Sequence, residues 1–242
     1  MRMTIELKNV CMRTRNTLTP VSIKNVSMRI EPDQHIAILT PSKSAAGMLV
    51  DVICGANAPD SGSAFCDSRL SWPLPAARFL HKHQTFVANA RFVARLYEMD
   101  QASFIDRVIE MADISDLADK KIGYCPKPVV LRFSFALGAC LPFEMYFFTA
   151  TNVGEKQDRA KYSQIIAELG RRSGILMATS SGKSAQAFCD AAYVVEDNGA
   201  VYYDDMDAAI ERLQRLTKRR PVEEDAEASS SDQEDAPPDD FM

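Results

Sequence analysis

The chain has 242 residues, 46% hydrophobic and 25% charged, a composition that excludes a fibrous or wholly disordered protein and allows one large core or two small ones. The longest charge-free, mostly apolar stretch, Phe133 to Phe143, has 11 residues and contains Pro142, well short of the roughly 20 that cross a bilayer. Residues 1–10 carry charge after only a few positions and lack the apolar region of a secretory signal, so a cytoplasmic location is expected.

Six cysteines, at 11, 54, 66, 125, 140 and 189, contain no C-x-x-C pair, which argues for isolated reduced thiols over a zinc site or a disulfide framework. The net charge of −5 conceals an asymmetry: residues 221–242 hold nine acids and no base, so the preceding residues carry +4. Rich in Pro, Ser and acid, this segment cannot bury enough surface to offset its chain entropy. It is expected to be a disordered, solubilising tail, taken with the basic run Thr217 to Arg220 as residues 217–242.

Thr4 to Val10 and Val21 to Ile30 alternate in the manner of strands. His35 to Thr40 is nearly all apolar, as in a strand buried on both faces. Pro41 to Ser44 reads as a loop, and Ala45 to Cys54 has helical spacing at Met48, Leu49, Val52 and Ile53. Pro59 to Gly62 is a turn, followed by short strand-like pieces up to Trp72. Residues 86 to about 135 form a helical layer. Phe143 to Phe148 reads as a strand, Lys156 to Arg172 as an amphipathic helix, and Gly174 to Thr179 as a second buried strand. Ala191 to Val195 and Val201 to Tyr203 form a hairpin through Asp197-Asn198-Gly199, and a helix from Met206 to Leu216 closes the body. Strands alternating with helices imply an α/β fold with a parallel sheet and right-handed crossovers, carrying an inserted helical layer.

This order, together with Pro59-Asp-Ser-Gly62, Leu70-Ser-Trp-Pro73, Phe92-Val-Ala-Arg-Leu-Tyr97 and Phe188-Cys-Asp190, resembles the nucleotide-binding subunit of ABC transporters over nearly all of residues 3–216. Within that family it is most similar to the capsular polysaccharide export ATPases. The resemblance implies a P-loop NTPase-like ABC ATPase fold over residues 1–216, with a mainly parallel core sheet, an antiparallel β subdomain and an inserted α-helical subdomain. It also implies ATP and magnesium as ligands, pairing with itself or a related subunit, and a polytopic permease at the membrane. The permease would dock near the helical layer and residues 78–89. No nucleic-acid partner is expected.

The family's phosphate loop needs glycines that let backbone N–H groups face the phosphates, a lysine for the β and γ oxygens, and a hydroxyl for magnesium. Laid on that pattern, Thr40, Lys43 and Ala45 replace the glycines, with Pro41, Ser42 and Ser44 between them. Ala46 stands at the lysine, and Gly47 and Met48 at the hydroxyl positions. Lys43 reads as a solvated loop lysine, three places from where a phosphate-binding lysine belongs.

Thr149 and Ala150 follow the strand that should end in the metal-binding and catalytic carboxylates. Ser180 replaces the switch histidine, His81 the glutamine of the Q-loop, and Met12 the adenine-stacking aromatic. Tyr124-Cys125-Pro126-Lys127-Pro128 occupies the signature loop, where prolines remove donors and fix φ. His81 and His83 read as exposed loop histidines. Ser180-Ser-Gly-Lys-Ser184 looks like a phosphate loop, but Met177 stands where its first glycine belongs; weak anion binding at a helix start is the most it suggests.

These substitutions predict a pseudo-ATPase with no catalytic residue and no cofactor, acting as a scaffold or regulator of an exporter. A working ATP-hydrolysing subunit and a non-transport interaction protein on the same fold are the alternatives.

Overall fold

The structure, a computed structural model, describes residues 4–14, 21–149 and 158–219. The acidic segment and Ala150 lie outside the described residues. Strands β1 (Ile5–Arg13), β2 (Ser22–Ile30) and β4 (Ser61–Cys66) form an antiparallel sheet in the order β2-β1-β4. The main sheet has the order β5-β6-β3-β7-β8, built from β3 (His35–Leu39), β5 (Met145–Phe148), β6 (Gly174–Thr179), β7 (Ala191–Glu196) and β8 (Gly199–Tyr203). Its first four strands are parallel, and β8 returns antiparallel to β7.

Because successive side chains of a strand face opposite sides, the apolar run of β3 serves two cores. Ile36 and Ile38 face α1 (Lys43–Ile53) and the antiparallel sheet, whereas Ala37 and Leu39 face the helical layer. That layer consists of α2 (Phe86–Leu96), α3 (Gln101–Ala112) and α4 (Lys127–Ala139), so it extends four residues beyond the expected boundary at 135. Phe86 and Phe133 join α2 to α4 edge to face, with ring centroids 4.8 Å apart.

Other elements also depart from the sequence reading. α5 covers Arg159–Gly170, with part of the expected helix start outside the described residues. The short α6 (Gly182–Gln186) precedes β7. α7 runs from Met206 to Arg219, so Thr217 and Lys218 belong to the folded body and not to the tail. Gly62 lies inside β4, not in a turn: its φ of +85° and a β-carbon position 2.4 Å from the Asn9 carbonyl oxygen require glycine, since a side chain would strain the backbone and collide with β1. Asn9 itself has φ +49°, and the β1–β4 register shifts between Lys8 and Cys11, which is the geometry of a bulge.

Candidate functional site

Parallel strands point their carboxyl ends one way, and in open α/β sheets the crevice beyond those ends is where ligands bind. Here β3, β5 and β6 end at Leu39, Phe148 and Thr179. The crevice is a cavity of about 600 Å³, lined by Lys43, Ala46 and Gly47 from α1, Thr149 after β5, and Ser180 after β6. Five positions chosen from sequence, scattered over more than half the chain, therefore meet in one place. Asp51 and Arg78 line it as well. Asp51 was legible as the residue four beyond Gly47 on the same helix face; Arg78 comes from an irregular segment without any sequence signal.

The loop after β3 has closed on itself. α1 begins at Lys43, not at Ala45 as its apolar spacing predicts, because Ser42 is an N-cap with φ −136° and ψ 151° whose hydroxyl accepts the Ala45 N–H at 3.1 Å. Thr40 Oγ1 donates to the Ser42 carbonyl at 2.8 Å, and that carbonyl accepts the Ala46 N–H at 3.2 Å. Only Thr40 to Ser42 remain between strand and helix. Lys43 and Ser44 stand in the first helical turn, a correction to the loop reading. Two backbone donors of the kind a phosphate loop presents to an anion, the N–H groups of Ala45 and Ala46, are thus spent inside the protein.

The other walls match this. Thr149 donates its N–H to the Leu74 carbonyl at 3.0 Å, so the residue at the metal-binding position is held by backbone and brings no carboxylate. Ser180 is exposed. Ser181 caps the five-residue α6 by accepting the Ser184 N–H at 3.4 Å, and the serine-rich segment is one wall of the same cavity, not a separate phosphate loop. Among the described residues no group of three or more His, Cys, Asp or Glu could hold a metal. The residues present do not fit a magnesium nucleotide: the cavity offers the single carboxylate of Asp51, Ala46 in place of a lysine, and no hydroxyl from positions 47 and 48.

The remaining candidates lie elsewhere. Met12, half-buried on β1, lines a different cavity of about 430 Å³ with Arg13, Lys24 and Asp60. The backbone at His81 is held by Asn89, whose side-chain oxygen accepts the His81 N–H at 2.8 Å and whose Nδ2 donates to the His81 carbonyl at 3.3 Å. The His81 ring is exposed beside His83, centroids 5.9 Å apart. At the start of α4, Tyr124 is 84% exposed, Cys125 donates its N–H to Ile122 O, and the N–H groups of Val129 and Val130 both go to Pro126 O. With Pro126 and Pro128 lacking N–H groups, this turn cannot face a phosphate as a serine-glycine loop would.

A two-core α/β body, a parallel sheet with an antiparallel companion and an inserted helical layer define the fold of the ABC ATPase cassettes. Solved structures agree. The dimeric structure of MJ0796, a bacterial ABC transporter cassette, matches with a TM-score of 0.66 at 17% identity, covering 81% of this chain and 96% of that one. An ATP-binding subunit of an ABC transporter matches at 0.70 and 13%, covering 87% and 99%.

In sequence, the chain resembles the ATP-binding proteins of capsule polysaccharide export. It is 24% identical over 216 residues to the ATP-binding protein BexA of Haemophilus influenzae, covering 88% of this chain and 100% of that protein. It is 26% identical over 215 residues to the polysialic acid transport ATP-binding protein KpsT of Escherichia coli, covering 86% and 95%. With the capsule polysaccharide export ATP-binding protein CtrD of Neisseria meningitidis serogroup B it shares 24% over 197 residues, covering 80% and 90%. No protein-family model matches the chain.

Proposed function

We propose that this protein is a pseudo-ATPase: a subunit of a capsule or extracellular polysaccharide exporter that keeps the ATP-binding cassette body and has given up ATP hydrolysis. The observation that carries the reading is the closed Thr40–Ser42 turn. Ser42 caps the Ala45 N–H and Thr40 fixes the Ser42 carbonyl, while Ala46 and Thr149 stand on the cavity wall where charge would be needed to hold a nucleotide and its metal. Loss of these groups removes chemistry without removing the apolar strands and helices that build the core.

The body would act as a scaffold or regulator on the cytoplasmic face of a polytopic membrane subunit, paired with a second copy or with an intact relative. The described residues include no helix long and apolar enough to cross a membrane. The similarity to BexA, KpsT and CtrD supports this setting, since their names assign them to ATP binding and, for KpsT and CtrD, to polysaccharide transport.

The test is affinity purification of the full chain from detergent-solubilised membranes of its own cell. A multi-spanning membrane protein recovered at fixed stoichiometry, whose complex keeps any ATP turnover unchanged when Lys43→Ala is introduced, is the expected result. A complex whose turnover is abolished by Lys43→Ala would mean that this chain is a working ATPase. Absence of any membrane partner would favour an interaction protein outside transport.

A further inference from the structure

A cavity of about 900 Å³ is separate from the site just described. It opens at the amino ends of β5 and β6, whereas Thr149 and Ser180 follow their carboxyl ends. Its walls are one face of α5, given by Lys161, Gln164, Ile165 and Glu168 at helical spacing, and one face of α3 around Arg107, Glu110 and Met111. Its floor is the chain that leaves α4, including Leu141 and Phe143.

Elsewhere on the surface several guanidiniums are paired with carboxylates. Arg212 is held by Glu196 with two bonds of 2.7 Å, and Arg215 by Glu211 at 2.6 Å. At the cavity, Glu168 is engaged by Arg171, which points outward. Among the described residues neither Arg107 nor Arg172 forms an ion pair with a carboxylate. Arg107 and Arg172 both line the cavity, and they are the two charges that oppose the burial pushing the Cys140 thiol up to about 11. Arg172 also reaches the Tyr146 hydroxyl, a hydroxyl that donates to the Leu141 carbonyl at 2.6 Å. Two forked donors, neither paired with a carboxylate among the described residues, lining a cavity of small-molecule size with an apolar floor, are the components of a site for an organic anion.

We propose that this cavity binds an organic anion, with a flat apolar body on the floor between Met111, Leu141 and Ile165 and its sulfonate, phosphate or carboxylate group between Arg107 and Arg172. Lys161 stands at the rim and adds to the attraction, while Glu110 selects against a second negative group on that side. The site does not depend on the pseudo-ATPase reading, because it shares no residue with the cavity lined by Lys43, Thr149 and Ser180.

The probe is 1-anilinonaphthalene-8-sulfonate titrated into the full chain and followed by fluorescence, beside the neutral N-phenyl-1-naphthylamine. The sulfonate should saturate at one dye per chain. The Arg107→Gln/Arg172→Gln variant should bind it roughly ten-fold or more weakly, since two charge-assisted bonds are lost, while the neutral dye is unaffected. Ile165→Trp, which fills the floor from α5 and leaves every cation in place, should abolish binding of both dyes, so the idea stays testable even if the double variant folds poorly. Absence of saturable 1:1 binding would overturn the proposal. So would equal affinity in the wild type and Ile165→Trp, which would place the dye on the exposed Phe92 and Leu96 of α2.

Discussion

Replacing Ser42 tests whether the loop after β3 is a closed cap or a resting phosphate loop. Ser42 is 7% exposed and Ala45 3% exposed, so the N–H that the Ser42 hydroxyl accepts cannot turn to bulk water when the cap is removed. Loss of an N-cap costs about 0.5–2 kcal/mol, and burial puts this one near the upper half, about 1.5 kcal/mol. For a domain of this size each kcal/mol lowers the unfolding midpoint by about 2–4 °C, so Ser42→Ala should melt roughly 3–6 °C below the wild type. Ser42→Asp, which retains an acceptor and places an anion at a helix start, should melt within about 1 °C of the wild type or above it. Both are read by differential scanning calorimetry with and without Mg-ATP. Unchanged melting of Ser42→Ala, or an ATP-dependent rise that appears only in that variant, would refute the closed-loop argument.

Other consequences are as direct. Gly62→Ala forces a β-carbon to 2.4 Å from the Asn9 carbonyl oxygen at positive φ, and urea unfolding should show a loss of more than about 2 kcal/mol. Asn89, buried on α2, holds both backbone groups of His81 and donates to the Thr85 carbonyl at 2.9 Å. Asn89→Ala should cost about 2–3 kcal/mol and speed hydrogen exchange over residues 80–85.

Thiol chemistry should follow environment. Cys11 is held below the ordinary thiol range by a hydrogen bond from Ser61 and then by the Asn25 N–H, whereas burial pushes Cys140 to about 11 and Cys189 to about 12. Iodoacetamide at neutral pH should label Cys11 first and Cys189 last, as read by peptide mass spectrometry. Above pH 9 the unfolded chain releases these two protons while the folded one keeps them. Stability should therefore fall with rising pH between about 9 and about 12, and that part of the fall should disappear in Cys140→Ala/Cys189→Ala.

The elements were legible where one rule governed them. His35 to Leu39 and Gly174 to Thr179 are strands buried on both faces, and an unbroken apolar run of five or six residues reads that way wherever it occurs. The positions after those strands came from the resemblance to ABC ATPases, and the structure gathers Lys43, Ala46, Gly47, Thr149 and Ser180 around one cavity because parallel strands end together. Boundaries set by single side chains were not. The start of α1 moved from Ala45 to Lys43 because one buried hydroxyl on Ser42 offered a better cap than the apolar period could indicate. Gly62 looked like turn glycine, but its need for positive φ comes from a bulge in a distant strand. Arg78 and the paired guanidiniums of Arg107 and Arg172 are brought to their cavities by segments far apart in sequence, and no local pattern announces such a meeting.

The decisive measurement is calorimetric titration of Mg-ATP into the purified full chain at low millimolar nucleotide, with the melting temperature recorded in parallel because a ligand that binds only the folded state must raise it. The closed Thr40–Ser42 turn and the uncharged Ala46 and Thr149 predict no saturable heat and no shift in melting. Saturable binding that is lost in Lys43→Ala would contradict the account, since it would require this loop to open and hold phosphate from the first turn of α1.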